Sequence, residues 1–386
     1  MSMPRSIVCV LCLAFAIGCQ EETAKPQEEP WQLFVDALAE AGHLIESSYT
    51  PQDELTRAEG LRYLGLLIAE GIRTNVEGMD PGRPLLAAKL LSGGDTSDAR
   101  YFDAMIDGSH SYRVHGERGE APLIEFSVYD GKIGVHGRSK RVGFLLEEAL
   151  DVAPDGTFEV FFSPDPRPGN WIRTTPETKY LLIRQYSHDW RATRGATLHI
   201  EALDAPPPSA LEEHEIRDGL LAAARFVKGV AIHWAGTVAK IRLFPENSVV
   251  RVPPWIGETL PAGHRFAVGP FELEVDEALI VEFVAPEAPY WSFQLANYWF
   301  EPIDRGGEGS HLNNRSAVVE ADGSVRLVIA DVDPGACNWL DTRGHRVGVM
   351  VFRLSRSEDL VLPPFDARVV KAAEVEAAAD CDGGAS

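Results

Sequence analysis

The sequence predicts a mixed α and β fold, mainly β: two tandem duplicated β domains, preceded by an N-terminal helical region and joined by a helical connector. Three observations predict it. Apolar residues recur at three- and four-residue steps before residue 99 and again over 206–245. Between and after those stretches, short runs alternate apolar and polar residues and are separated by Asp-Gly and Pro-Gly turns. The two alternating blocks also repeat one another's motifs in the same order.

Taken in order, residues 1–18 carry the single charge Arg5 and an apolar run from Ile7 to Ile17. That run is shorter than the ~20 apolar residues a membrane-spanning helix needs, so 1–18 reads as a signal peptide. Its end, Ala16-Ile17-Gly18-Cys19, resembles the lipobox of bacterial lipoproteins, which makes Cys19 the expected lipidation residue. Gln20 follows, and by resemblance to the sorting rule of diderm bacteria a non-Asp residue there favours the outer membrane. The expected location is the cell envelope, lipid-anchored, at the outer membrane or on the periplasmic side. Residues 19–30 are polar and acidic and read as a flexible tether.

Residues 31–99 form the helical region. Thr50 is a candidate cap, with Pro51 at the first helical position and Asp53 at the positive end of the dipole. A first β domain occupies 100–205 and a second 246–366. The connector, 206–245, opens with Ser209 and Glu212 at capping-box spacing. Gly219, Gly229 and Gly236 leave open whether it is one helix or two. Residues 367–386 read as a disordered acidic tail. Cys337 and Cys381 could pair in an oxidising compartment or stay as thiols.

The repeat is visible residue by residue. Ala121-Pro122 matches Ala288-Pro289, Asp155-Gly156 matches Asp322-Gly323, Asn170-Trp171 matches Asn338-Trp339, and Arg184 matches Arg353. In the second block, DGSVRLVIADVDPGACNWLD followed by VGVMVFRL resembles the uncharacterised bacterial family catalogued as domain of unknown function 1214. The first block carries a looser form, DGTFEVFFSPDPRPGNWIRTTPETKYLLIRQY. The resemblance implies that each domain is a jelly-roll-like β-sandwich, and it implies no activity.

Thirty-six basic against 58 acidic residues give a net charge of −22, a field that repels nucleic acid. No nucleophile elbow, penicillin-binding S-x-x-K, zinc-binding H-E-x-x-H, Walker loop or dinucleotide fingerprint is present. No cofactor or metal is expected. His115 and Glu117 share one face of a strand, whereas His110 lies on the other. The Asn-Trp pairs read as structural pins, with Trp171 and Trp339 supplying the buried area. Arg184 and Arg353, each mid-strand among apolar residues, require a carboxylate partner or an anionic ligand.

The candidate ligand site is the stretch from Tyr290 to Trp299 and the residues after it. It comprises Gln294, Asn297, Trp299, Glu301, His311 and Asn313, because amides beside aromatic rings suit sugars and ring-shaped ligands and the first block lacks an equivalent. The expected function is a noncatalytic envelope lipoprotein that binds a small molecule or glycan. One alternative is an envelope enzyme of unassigned class using Glu301 with His311, or His115 with Glu117, as acid and base. The other is a structural or assembly component whose helices cover sheet edges or make contacts within an oligomer.

Overall fold

The computed structural model describes residues 29–47, 50–90, 92–137, 139–204, 210–252, 263–304, 309–356 and 361–376. The signal peptide, Cys19, Cys381 and nearly all of the tether lie outside them.

Three helices form. Helix α1 spans Pro30–Gly42 and α2 spans Glu54–Ile72, running into a π-helical turn at Arg73–Glu77. Asp53, not Thr50, caps α2: its carboxylate accepts from the Thr56 amide at 2.9 Å. The Thr50 hydroxyl instead donates back to the Leu44 carbonyl at 2.8 Å. The connector is one helix, α3, Glu213–Ile241. Its capping box is made by Glu212 and Glu215, while Ser209 lies outside the described residues. The helix continues through its glycines because Val227, Val230 and Val238 are buried along one stripe. At Gly229 the missing side chain is itself used, since a Cβ there would lie 2.5 Å from Gly134 Cα. No helix among the described residues is long and apolar enough to cross a membrane.

The first sandwich is built from β1 (Ala87–Ala88), β2 (Ala99–Met105), β3 (Tyr112–Glu117), β4 (Leu123–Tyr129), β5 (Arg141–Leu146), β6 (Thr157–Ser163), β7 (Trp171–Arg173), β8 (Tyr180–Tyr186) and β9 (His199–Ala202). The second uses β10 (Val250–Arg251), β11 (His264–Glu272), β12 (Glu277–Val284), β13 (Tyr290–Ala296), β14 (His311–Asn313), β15 (Ser324–Ala330), β16 (Trp339–Asp341), β17 (Val347–Ser355) and β18 (Asp366–Lys371). Sheet orders are β1-β2-β8-β4-β5 and β7-β6-β3-β9 in the first, and β10-β11-β17-β13-β14 and β16-β15-β12-β18 in the second. The second pair reproduces the first strand for strand, including a parallel pairing of β6 with β7 and of β15 with β16. Each core lies between its two sheets: Ile124, Phe126, Val160 and Ile183 in the first, and Leu279, Phe293, Leu327 and Phe352 in the second.

The duplication extends to side chains. Asp155 accepts from the Thr157 amide and hydroxyl at 3.0 and 2.7 Å, and Asp322 does the same for Ser324. The glycine that follows each takes a left-handed backbone, φ 84° in both. Asn170 receives the Asp151 amide at 2.8 Å and donates to the Asp151 and Glu159 carbonyls; Asn338 treats Val318 and Arg326 identically. The pin is therefore the buried asparagine. Trp171 and Trp339 are only half-buried, because β7 and β16 are edge strands, and each is tied by one indole N–H to a carbonyl. Residues 367–371, expected to be tail, belong to β18, which pairs with β12 as an edge strand. Residues 377–386 lie outside the described set.

The two five-stranded sheets face one another. Tyr186 stands 5.5 Å from Tyr290 and 5.3 Å from His264, ring to ring. Helices α2 and α3 pack on the second of these sheets through Leu67, Phe226, Val230, Val349 and Val351. Helix α2 and its π-helical turn reach the first through Glu70 and Arg73, which pair with Asp103 and Lys132.

Candidate functional site

The six residues expected from sequence are all buried, and the chain itself uses the polar groups of all but His311, whose Nε2 lies beside a carboxylate without a hydrogen bond among the described residues. Gln294 accepts from the Ser97 amide at 3.1 Å and donates to the Asp95 carbonyl at 3.0 Å. Asn297 caps the turn at its own C-terminal side, accepting from the amides of Trp299 and Glu301 at 3.0 Å each. The Trp299 indole donates to the Thr56 carbonyl at 2.9 Å. Glu301 meets Arg62 at 3.3 Å. His311 Nε2 lies 2.9 Å from Asp98 Oδ2, and Asn313 donates to the same oxygen at 2.9 Å. Asn313 also accepts from the amides of Arg315 and Ser316. These side chains tie β13, β14 and the loop between them to helix α2 and to residues 95–98. Their amide capacity is spent on that task, so the geometry gives a ligand no free amide among them. The Glu301–His311 acid–base pairing fares no better, since the two engage different partners.

A second constellation lies where the sandwiches meet. Ser355 Oγ is 2.6 Å from His264 Nδ1, and His264 Nε2 is 3.0 Å from Glu125 Oε2. Nucleophile, imidazole and carboxylate stand in relay order, yet all three are fully enclosed, and a reacting carbonyl needs contact with the hydroxyl. What the relay does is join β4 to β11 and β17. Burial alone would raise the Glu125 carboxyl; His264, Arg184 and Arg356 outweigh it and hold it at about 2, against an ordinary 4.5. Asp103, pulled down by Lys132 and Arg73 against its burial, also lies at about 2, against 3.8. Groups depressed in the folded state stabilise it above their unfolded pKa and lose that contribution as pH falls toward the folded value. Stability from Glu125 is therefore intact above pH 4.5 and lost between 4.5 and about 2. The expected size is roughly 3 kcal/mol. Urea midpoints measured across that window should fall steeply for the natural chain, and Glu125→Gln should flatten the fall.

The surface that distinguishes the two copies is the outward face of the outer sheets. In the first sandwich the cross-strand row is Glu159, His115, His199 over β6, β3 and β9. The two imidazoles lie 5.6 Å apart with ring planes 33° apart. They border a cleft of about 620 Å³ whose wall also includes Arg113, Asn170 and Thr197. Arg113 is held by Glu201 and by Glu159 at 3.2 Å. In the second sandwich the same row is Arg326, Glu282, Asp366, and Arg368 closes over Glu282. The face beside it is apolar there. Val328, Ala330 and Trp339 are covered by Ala372 and Val375 of the C-terminal segment, and the remaining hollow is about 190 Å³. The sequence pairs His115 with Glu117 on one face but not with His199, whose approach depends on the register of β9. Glu117 itself goes to Arg194 at 3.1 Å.

Arg184 finds its partner in Glu125 at 2.8 Å, as expected. Arg353 has no such ion pair among the described residues. Cys337 is disulfide-bonded, and its partner lies outside the described residues.

The family model described as Protein of unknown function (DUF1214) matches residues 96–189 and 272–359, one stretch in each sandwich. Among solved structures, an uncharacterized protein from Burkholderia cenocepacia is 34% identical, with a TM-score of 0.85, over 90% of this chain and 98% of its own. The VPA0106 protein from Vibrio parahaemolyticus is 12% identical, with a TM-score of 0.48, over 88% of this chain and 100% of its own. No match was found among curated proteins.

Proposed function

The chain belongs to the DUF1214 family of proteins of unknown function, and on that premise we propose that it is a noncatalytic binding protein of the bacterial cell envelope. The anchor is a lipid on Cys19, supported by Ala16-Ile17-Gly18-Cys19. The disulfide at Cys337 suits an oxidising compartment outside the cytoplasm. The ligand is an uncharged glycan or a similar small polar molecule, bound in the cleft of the first outer sheet.

The observation that carries this reading is the inequality of two duplicated faces. A fold needs the same devices in both copies, and it has them in the Asp-Gly turns and the Asn pins. The second outer face is closed by ion pairs and by the C-terminal segment. The first is open and presents two neighbouring imidazole rings, an arginine and carboxylates. Flat rings offer sugar C–H faces an apolar surface, and the polar rim offers both donors and acceptors. The acidic balance of the whole chain disfavours anionic ligands on an exposed surface.

The test is calorimetric titration of the soluble chain from residue 29 onward with N-acetylglucosamine oligomers and with neutral hexose oligomers. A saturable interaction is expected with one class. It should weaken at least about tenfold, which is 1.4 kcal/mol, in His115→Ala/His199→Ala, while the melting temperature stays unchanged because both rings are partly exposed. Binding that survives the double substitution would remove the cleft from the proposal.

A further inference from the structure

Duplication supplies an internal control for Arg353. In the first sandwich Arg184 on β8 stands directly across from Glu125 on β4, and the two form an ion pair at 2.8 Å. In the second, Arg353 on β17 stands across from Ser292 on β13. The strand positions match, but the carboxylate has become a hydroxymethyl group. The consequences are visible around Arg353. The residue is only 5% exposed, and its Nε and Nη1 have no hydrogen-bond partner among the described residues; the Oγ of Ser292 is fully buried beside the Tyr290 hydroxyl.

The surroundings do not replace the missing charge. The guanidinium lies over the Phe266 ring, 5.0 Å from its centre, which gives a cation–π contact but takes no N–H. Asp98 is the nearby carboxylate. Its Oδ2 already receives the Tyr290 hydroxyl and the Asn313 amide at 2.9 Å each, with His311 Nε2 also at 2.9 Å. Tyr101 accepts from the Thr96 amide. A permanently charged group with unmade bonds in an enclosed space is costly, and an anion with oxygen acceptors relieves that cost more fully than a neutral molecule.

We propose that Arg353 and Ser292, between the two facing five-stranded sheets, form a binding site for a small carboxylate. Its chemistry is set by the first copy: the ligand supplies from outside the carboxylate that Glu125 supplies from the chain. The side-chain difference between glutamate and serine at this register position is about the size of formate or acetate, which makes acetate the probe of choice. Arg353 provides the charge and two N–H donors, Ser292 a hydroxyl donor, and Phe266 the apolar floor. This site is distinct from the outer-sheet cleft and does not depend on what that cleft binds.

Thermal melting in sodium acetate, against sodium chloride at equal ionic strength and pH 7, tests it. For the natural chain, acetate about tenfold above its Kd should raise the melting temperature by roughly 2 °C more than chloride does. Ser292→Glu restores the internal carboxylate. It should melt at or above the natural chain in chloride and lose the acetate-specific rise, and because it adds a partner rather than removing one it also guards against simple loss of folding. An equal shift in acetate and chloride for the natural chain would overturn the proposal. So would an acetate-specific rise that persists in Ser292→Glu, or a Ser292→Glu protein that melts below the natural chain in chloride.

Discussion

Lys132→Met is expected to destabilise the protein by about 3–5 kcal/mol, the range for removing one member of a buried ionic group. Lys132 Nζ lies 2.8 Å from Asp103 and 3.3 Å from Glu70. Arg73 pairs with both carboxylates, at 2.7 Å for Glu70, and Tyr180 donates to Asp103 at 2.8 Å. Neither carboxylate has solvent access. Removing the lysine leaves two enclosed negative charges facing one guanidinium. The double variant Lys132→Met/Asp103→Leu restores one charge of each sign and should cost less than the single change, although it removes a further polar group. Urea unfolding of both variants checks this. A single variant that loses under about 1 kcal/mol would mean that water reaches the group and that helix α2 is not held to the first sandwich in this way.

Trp299→Ala should cost a similar amount, about 3–5 kcal/mol, as a large-to-small change in a closed core. The ring is 1% exposed, stacks on Tyr63 at 6.0 Å and hydrogen-bonds the first turn of α2 through Thr56. Gly60 on α2 has no side chain because a Cβ there would lie 2.5 Å from the ring. Indole and helix are shaped to one another, so truncation should undock α2 as well as lower the midpoint. Hydrogen exchange over 54–72 should accelerate more than over β15. Trp299→Phe, which keeps a ring but loses the N–H, should fall between the two.

The sequence was most informative where one residue type has one job. Period-two runs located the strands, and the Asp-Gly and Asn-Trp motifs exposed the duplication, because turn geometry and a buried asparagine impose the same residues on both copies. Caps were legible as regions but not as atoms: Thr50 and Asp53 both suit a helix start, and only the path of the chain selects Asp53. The amides from Gln294 to Asn313 stand out in the sequence because they lie among aromatic residues. Asn297 and the Asn313 oxygen are met by backbone amides two to four residues on, whereas Gln294 takes the backbone of Asp95 and Ser97 and Asn313 donates to the Asp98 carboxylate, partners that only long-range pairing brings near. His115 and His199 illustrate the converse. Far apart in the chain, they become neighbours through the register of β3 with β9, which no local pattern encodes. Likewise, Arg184 and Arg353 look equivalent in sequence until strand pairing sets one against Glu125 and the other against Ser292.

The most direct test of the binding-protein account is hydrogen–deuterium exchange on the soluble chain, with and without whichever oligosaccharide saturates it in titration. Protection is expected over 113–117, 157–159 and 197–201, with 320–328 and 336–339 of the second outer sheet unchanged. Protection confined to 290–313, or distributed equally over both outer sheets, would contradict the assignment of the first outer face as the binding surface.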